Sequence, residues 1–182
     1  IVLVGVAATG ASYASVLTAG VAGAVAGAMS MAAGEYVSVS SQSDSERADL
    51  ARERQELATD DAGEHRELMG IYMGRGLSAD LARRVADELM AHDALAAHAR
   101  DELGITEHNV ARPLQAAFAS ATSFACGALL PLSIAAVVSV QNGLVAVPAA
   151  AIVALGLLGA IAARTGGAPI GIAVARVMFC GA

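Results

Sequence analysis

The sequence has no lysine, no tryptophan and only two cysteines among its 182 residues, and charged residues make up 15% of it. An ordinary soluble domain has about 25% charged residues, so this composition, with 56% hydrophobic residues, excludes a typical soluble globule. Acidic residues outnumber arginines by 17 to 11, which argues against a nucleic-acid partner, because such partners require a basic face. Cys126 and Cys180 lie in apolar sequence and match no metal or disulfide spacing.

The charges that are present are gathered in one block. Residues 43–112 hold 16 of the 17 acidic residues, 9 of the 11 arginines and all four histidines. Residues 1–34 and residues 113–163 carry no charge. Because a membrane-spanning helix needs about 20 apolar residues, the second uncharged stretch is long enough for two spans.

The apolar stretches predict five spans. Two are expected at about 114–139 and 144–163, separated by a polar turn at residues 141–143. Upstream, a turn at residues 9–12 precedes one long helix over 14–42. Ile1–Ala8 would extend only about 12 Å as a helix, and Ile170–Ala182 is also short, so the first and last spans are expected to be truncated. The predicted fold class is all-α, a polytopic membrane helical bundle.

The arginines predict the orientation of these spans. If residues 43–112 are cytoplasmic, the short loop with Arg164 is cytoplasmic too, and the two opposite loops contain no arginine. This distribution agrees with the positive-inside rule. We therefore expect three regions: residues 1–42 with span 1 (partial) and span 2, residues 43–112 as a cytoplasmic helical module, and residues 113–182 with spans 3, 4 and 5 (partial).

The polar block has the pattern of a folded module. Its cap signals predict three helices, near residues 44–58, 60–75 and 79–103, the first beginning at a capping box that starts at Ser43. The third is predicted to carry an apolar stripe along one face. That stripe comprises Leu81, Val85, Leu89, His92, Ala96, Ala99 and Leu103.

Two rows of acidic residues in this block indicate a cation site. Residues three or four apart share a helix face, and this spacing joins Glu46, Asp49, Glu53 and Glu56 in the first helix and Asp60, Glu64 and Glu67 in the second. For any one of these glutamates a solvated surface is the ordinary explanation. Glu53, Glu64 and Glu67 have no basic residue four positions downstream, and two parallel acidic rows joined by a tight turn are harder to explain without a bound cation.

The third helix offers a histidine and a carboxylate one turn apart, which can bind a metal together. His98 and Glu102 form one such pair, and Glu88 and His92 form a rival pair with the same spacing. We favour Glu102 over Glu88, because the long third helix can fold back over the other two.

A second candidate site lies where the long helix over 14–42 approaches the cytoplasm. Met31 and Glu35 share one face of that helix, together with Gly23 and Gly27. Methionines in apolar helices are commonly core residues, but an ionisable residue near the membrane core is a functional candidate. A thioether and a carboxylate together suit a transition metal better than Mg²⁺ or Ca²⁺.

The segment over residues 28–42, AMSMAAGEYVSVSSQ, with ERADLARERQE after it at residues 46–56, resembles the signature of the vacuolar iron transporter family. Shorter matches are DELG at residues 101–104, PLQAA at 113–117 and GALLP at 127–131. The resemblance covers essentially the whole chain. The family includes plant nodulin-21-like proteins and many bacterial members, and the lysine-free, alanine- and arginine-rich composition favours a bacterial origin.

This resemblance implies a five-span homodimer in the lipid bilayer that exports cytosolic Fe²⁺, or Mn²⁺, Zn²⁺ or Co²⁺, in exchange for protons. It implies that the module binds metal through Glu53, Glu56, Glu64, Glu67 and Glu102, and that Met31 lines the path, with Glu35 also matching the motif. His98 stands where plant-type members carry a methionine. The implied location is the cytoplasmic membrane of a bacterium or, alternatively, a vacuolar membrane.

The sequence therefore indicates two candidate functions. One is a proton-coupled transporter of Fe²⁺ or Mn²⁺, and the alternative is a membrane-tethered metal sensor or buffer that transports nothing. An enzyme is not expected, because a carboxylate-bridged di-iron oxidase requires Glu-x-x-His pairs on two helices. The sequence contains no such set of pairs.

Overall fold

The computed structural model describes residues 2–106 and 110–181. Within these residues all of the regular secondary structure is helical, with seven helices and no strand, which confirms the all-α prediction. In chain order the helices are α1 (Val2–Ala8), α2 (Tyr13–Thr59), α3 (Asp61–Gly74), α4 (Ala79–Asp101), α5 (Pro113–Val137), α6 (Val140–Gly166) and α7 (Ile170–Gly181).

Three of these helices, α2, α5 and α6, are long and apolar enough to cross a membrane. Large apolar side chains are exposed along them, among them Leu114, Phe118 and Leu157, as is usual for helix faces that meet lipid. The protein is thus an integral membrane protein. Helix α7 is apolar but shorter, and the five-span arrangement remains a prediction.

Helix α2 runs without a break from Tyr13 to Thr59, so the predicted new helix at Ser43 is wrong. The serine hydroxyls make bonds of the kind found inside a helix. Ser41 Oγ donates to the carbonyl of Val37 at 3.0 Å, and Ser45 Oγ donates to that of Ser41 at 3.1 Å. Such bonds to the carbonyl four residues earlier belong to a helix interior and not to an N-cap.

The break between α5 and α6 lies at Val138 and Ser139, not at the predicted turn over residues 141–143. Ser139 adopts extended backbone angles, and its carbonyl accepts from the N–H of Gly143 at 2.8 Å. The polar residues therefore form the first turn of α6, where backbone N–H groups lack intrahelical partners and polar side chains are tolerated.

The chain divides into two compact units, one comprising Ile1–Ala33 with Ala117–Ala182 and the other Gly34–Ala116. In the first unit the buried apolar core consists of Leu3, Ala7, Val16, Ala135 and Val147. Gly10, with a φ of +75°, makes the predicted turn between α1 and α2. Helices α6 and α7 pack so closely that a Cβ on Gly159 would lie 3.0 Å from Val174 Cα.

In the second unit α3 packs against α4 around Leu68, Ala86 and Ala97. Two side chains define where these helices begin. Asp60 Oδ1 accepts from the N–H of Gly63 at 2.9 Å, and the Ser78 hydroxyl accepts from the N–H of Leu81 at 3.4 Å. Both arrangements are N-caps.

Helix α4 is interrupted at Asp93, which has non-helical backbone angles (φ −160°, ψ 93°). Asp93 Oδ1 accepts from the N–H of Ala96 at 2.9 Å and so caps the segment that follows. The predicted continuous stripe is therefore wrong, since Leu81, His92 and Ala96 are exposed. The buried residues of α4 are Ala82, Ala86, Ala97, His98 and Ala99.

Candidate metal site

Four side chains of the second unit converge in one cluster. Glu53 comes from α2, Glu64 from the first turn of α3, and His98 and Glu102 from the end of α4. Each offers one ligand atom, and these four atoms lie within 4.8 Å of one another. We call Glu53, Glu64, His98 and Glu102 the Glu/His cluster.

The imidazole of His98 is at the centre of the Glu/His cluster. Its Nδ1 lies 3.0 Å from Glu102 Oε2, 3.1 Å from Glu53 Oε1 and 3.7 Å from Glu64 Oε2. One nitrogen thus faces carboxylates from three helices. Without a metal, a proton on Nδ1 can be shared among these oxygens. With a metal, the same nitrogen can become a ligand.

Glu53, Glu64 and His98 are buried, Glu102 is exposed, and the cluster is incompletely hydrogen-bonded. Glu53 is 2% exposed and His98 is fully buried. Among the described residues, Glu53 Oε1 and His98 Nε2 are the buried side-chain atoms that have no hydrogen-bond partner, although Glu53 Oε1 is close to His98 Nδ1. A buried polar atom left in this way costs about 1–3 kcal/mol. A cation bound among the carboxylates would satisfy the Glu53 oxygen.

Burial and crowding of negative charge shift the acidity of two carboxyl groups. Burial raises the pKa of Glu53 to about 7, and the charges of Glu102 and Glu64 add to this effect against the opposing influence of His98. Burial also raises the pKa of Glu64, with His98 again opposing. Both groups therefore hold protons more tightly than free glutamate and would release them to a bound cation.

Three carboxylate groups and one imidazole form a mixed oxygen and nitrogen donor set. Imidazole suits Fe²⁺, Zn²⁺ and similar transition metals, whereas Mg²⁺ and Ca²⁺ prefer oxygen ligands alone. The burial of His98 makes the nitrogen a fixed part of the set. The arrangement can therefore bind a divalent transition metal and exchange it for protons.

The other residues expected at metal sites lie outside this cluster. Glu56 and Glu67 are exposed, although both charges contribute to the raised pKa of Glu64. Met31 and Glu35 are exposed on α2, well before Glu53 in the chain. In the rival pair, Glu88 and His92 are both exposed. Glu46 has a structural partner instead, since its Oε2 accepts from the N–H of Ala111 at 3.2 Å.

One network beside the cluster was not foreseen from the sequence. The carboxylate of Asp101, next to Glu102, accepts hydrogen bonds from Tyr72 and Arg75 at the end of α3 and from its neighbour Arg100. Burial alone would raise the pKa of Asp101, but the bonds from Arg100, Arg75 and Tyr72 outweigh it and lower the pKa to about 2. Almost 30 residues separate Tyr72 from Asp101, so no local spacing indicates the contact.

The whole sequence, residues 1–182, matches the VIT family. The chain belongs to the VIT family. This finding confirms the resemblance drawn from the motif over residues 28–42 and assigns the protein to a family of transporters, not of enzymes. The Glu/His cluster thus lies in a VIT-family protein whose apolar helices are long enough to cross a membrane.

Similarity to individual proteins also supports membership of the VIT family. A vacuolar iron transporter of Acanthamoeba castellanii is 42% identical over 172 residues, which are 94% of this chain and 66% of that protein. Vacuolar iron transporter homolog 2 of Arabidopsis thaliana is 31% identical over 180 residues, 98% of this chain and 67% of that protein. Vacuolar iron transporter 1 of the same plant is 32% identical over 130 residues, 70% of this chain and 52% of that protein. The chain spans about half to two thirds of the length of these curated relatives.

Proposed function

We propose that the protein transports Fe²⁺ across a membrane, out of the cytosol and in exchange for protons. In this proposal residues 43–112 form a cytoplasmic module that collects the ion, and residues 1–42 and 113–182 contribute to a five-span pore domain. Mn²⁺, Zn²⁺ and Co²⁺ are the further candidate substrates. Membership of the VIT family and the names of the relatives support iron as the principal one.

The observation that carries the proposal is the Glu/His cluster. Glu53, its buried member on α2, has a carboxylate oxygen without a hydrogen-bond partner, and the four ligand atoms of the cluster lie within 4.8 Å of one another. A cluster that served only stability would pair its buried atoms. A cluster that receives a cation has to leave ligand atoms free.

Proton exchange follows from competition for the same oxygens. A carboxylate binds metal when it is deprotonated and releases metal when it is protonated. Because the pKa of Glu53 lies at about 7, small changes around neutral pH alter its protonation. On the cytosolic side, where this proposal places residues 43–112, the local pH would therefore set how tightly the cluster holds the ion.

The remaining predicted residues have separate roles in this proposal. Glu56 and Glu67, exposed beside the cluster, attract cations and supply further oxygens. Met31 and Glu35 act on the path through the membrane, where a thioether and a carboxylate give a mixed donor pair. The proposed protein is a homodimer in the cytoplasmic membrane of a bacterium or, alternatively, in a vacuolar membrane.

The test is metal flux into vesicles that contain the full-length protein. A proton gradient is imposed, and the uptake of Fe²⁺, Mn²⁺, Zn²⁺ and Ca²⁺ is followed in parallel experiments with fluorescent indicators. Glu53→Gln, His98→Ala and Met31→Ala are expected to reduce Fe²⁺ flux at least tenfold, since ligand and supporting residues have effects of about 10–100-fold. Flux that is independent of the proton gradient would refute the coupling.

The exposed pair Glu88 and His92 supplies matched controls. Glu88→Gln and His92→Ala make the same chemical changes as Glu53→Gln and His98→Ala, at exposed positions of α4 outside the Glu/His cluster, and are expected to leave flux unchanged. Equal effects of His98→Ala and His92→Ala would refute the site assignment. Metal binding without any flux by the wild-type protein would instead favour a membrane-tethered sensor or buffer.

A further inference from the structure

The carboxylate of Asp101 faces α3, whereas its neighbour Glu102 faces the Glu/His cluster. The Asp101 side chain is only 8% exposed. Tyr72 Oη donates to its Oδ2 at 2.8 Å, and Arg75 Nη1 donates to its Oδ1 at 2.6 Å. Both oxygens of one buried carboxylate are therefore bound by the end of α3.

Arg75 strengthens this connection in two further ways. Its Nη2 donates to the backbone carbonyl of Asp101 at 3.1 Å, so that it binds main chain and side chain of the same residue. Its guanidinium carbon also lies 5.2 Å from the centre of the Tyr72 ring, within the range of a cation–π contact. Hydrogen bonds between charged partners are stronger and shorter than neutral ones. Together these contacts fasten the last turn of α4 to the end of α3.

The fastened turn carries two of the four members of the Glu/His cluster. The N–H of Glu102 donates to the carbonyl of His98 at 2.9 Å, so the two residues belong to the same turn at the C-terminal end of α4. A third member, Glu64, lies on α3. The interruption at Asp93 separates this turn from the first part of α4, which packs around Ala86. The contacts of Asp101 thus add a polar tie to α3 beside the contact of His98 with Glu64 and the packing of Ala97 around Leu68.

We infer that Asp101, held by Tyr72 and Arg75, is a positioning residue for the candidate metal site. It touches no ligand atom of the cluster; it sets where the turn with His98 and Glu102 lies relative to α3. The inference rests on the proposed function in that it takes the Glu/His cluster to bind a divalent metal. Groups that orient metal ligands in this way change metal affinity by about 10–100-fold when they are mutated.

Arg100 provides a matched comparison with Arg75. Both arginines donate to the Asp101 carboxylate, Arg100 Nη2 at 2.8 Å from Oδ2, and their side chains are similarly accessible, at 51% and 47%. Arg100 lies on α4 itself, so its bond does not join two helices. Arg75→Gln and Arg100→Gln each remove one positive charge from a residue that binds Asp101, so the two variants have the same net charge. The difference between the two variants reports the bonds from Arg75 to Asp101, which join α3 to α4.

The experiment titrates Co²⁺ into the full-length, metal-free protein in detergent and follows the visible absorption of the bound ion, which reports ligand number and geometry. Arg75→Gln is expected to weaken Co²⁺ binding about tenfold and to change the absorption spectrum. Tyr72→Phe, which removes one hydrogen bond and no charge, is expected to change both in the same direction to a smaller extent. Arg100→Gln is expected to stay within twofold of the wild type.

A thermal melt of each metal-free variant separates positioning from stability. The inference is overturned if Arg75→Gln and Arg100→Gln weaken Co²⁺ binding equally. It is also overturned if Arg75→Gln lowers only the melting temperature and the folded variant keeps the wild-type affinity and spectrum. His98→Ala tests the proposed site itself: if the wild-type Co²⁺ spectrum survives that substitution, the site is wrong and the positioning inference is overturned with it.

Discussion

The metal-free protein should become less stable as the pH rises through the range in which Glu53 ionises. The pKa of this carboxyl is raised from 4.5 to about 7, mainly by burial, so the folded state binds the proton more tightly than the unfolded state does. The favourable contribution is therefore complete below pH 4.5, declines between pH 4.5 and about 7, and is lost above that range. At 1.36 kcal/mol per pKa unit, the loss is about 3 kcal/mol.

Chemical denaturation followed by circular dichroism, on chelator-treated protein at pH 5 and pH 8, measures this loss. Glu53→Gln replaces the carboxyl by a neutral group of similar shape and should remove the Glu53 part of the dependence, leaving that of Glu64, so that at pH 8 the variant is more stable than the wild type. Saturating metal should reverse that order, because an ion at 1,000 times its Kd adds about 4.1 kcal/mol to the protein that binds it, which exceeds the loss of about 3 kcal/mol. Glu88→Gln, an exposed change, should follow the wild type. Parallel pH profiles for wild type and Glu53→Gln would refute the reasoning.

Two further substitutions test the packing and the helix break. Gly159→Ala places a Cβ 3.0 Å from Val174 Cα and should destabilise the protein by about 1–3 kcal/mol, whereas Gly127→Ala, with nothing within 4 Å, should not; equal melting temperatures would contradict the close packing of α6 and α7. Asp93→Ala removes the acceptor for the Ala96 N–H and should cost about 1 kcal/mol. It should also speed hydrogen exchange at the amides of residues 96–100. Unchanged exchange relative to Asp80→Ala, an exposed change in the first turn of α4, would contradict a capping role.

The membrane helices were predictable because their signal is long and needs no tertiary information. An uncharged stretch of 51 residues can hardly be anything but lipid-facing. Their ends were less predictable, since the same residues can serve a cap or a helix interior. Ser43 starts a sequence of the capping-box form, yet the neighbouring serines bond within α2. Only the preceding helix, which already supplies carbonyl partners, decides between the two.

The prediction of an apolar stripe on α4 was wrong for a different reason. A helical periodicity assumes an unbroken helix, and Asp93 interrupts this one. After the interruption the phase is new, so His98 is buried while Ala96 is exposed. The sequence did contain a signal, because an aspartate three residues before the amide that it caps is a common N-terminal pattern. The surrounding alanines have a strong helix propensity, which favoured the prediction of a continuous helix.

Each member of the Glu/His cluster could be named from the sequence, but the cluster could not be separated from its surroundings. Glu53 and Glu56 share a helix face by spacing, yet only Glu53 is buried. Which of the two faces inward depends on how α3 and α4 pack against α2, and spacing along one helix does not report that. The assignment of the eight candidate residues to metal binding stays a prediction for the flux and Co²⁺ experiments.

The composition of the Glu/His cluster also determines its charge balance when occupied. When all three carboxylates are ionised and the histidine is neutral, the cluster carries three negative charges. A divalent ion leaves one negative charge uncompensated in a largely buried site, so an occupied cluster repels chloride and phosphate. The ion would thus be held without an accompanying anion, and the leftover charge would draw in a proton, the species needed to expel the cargo.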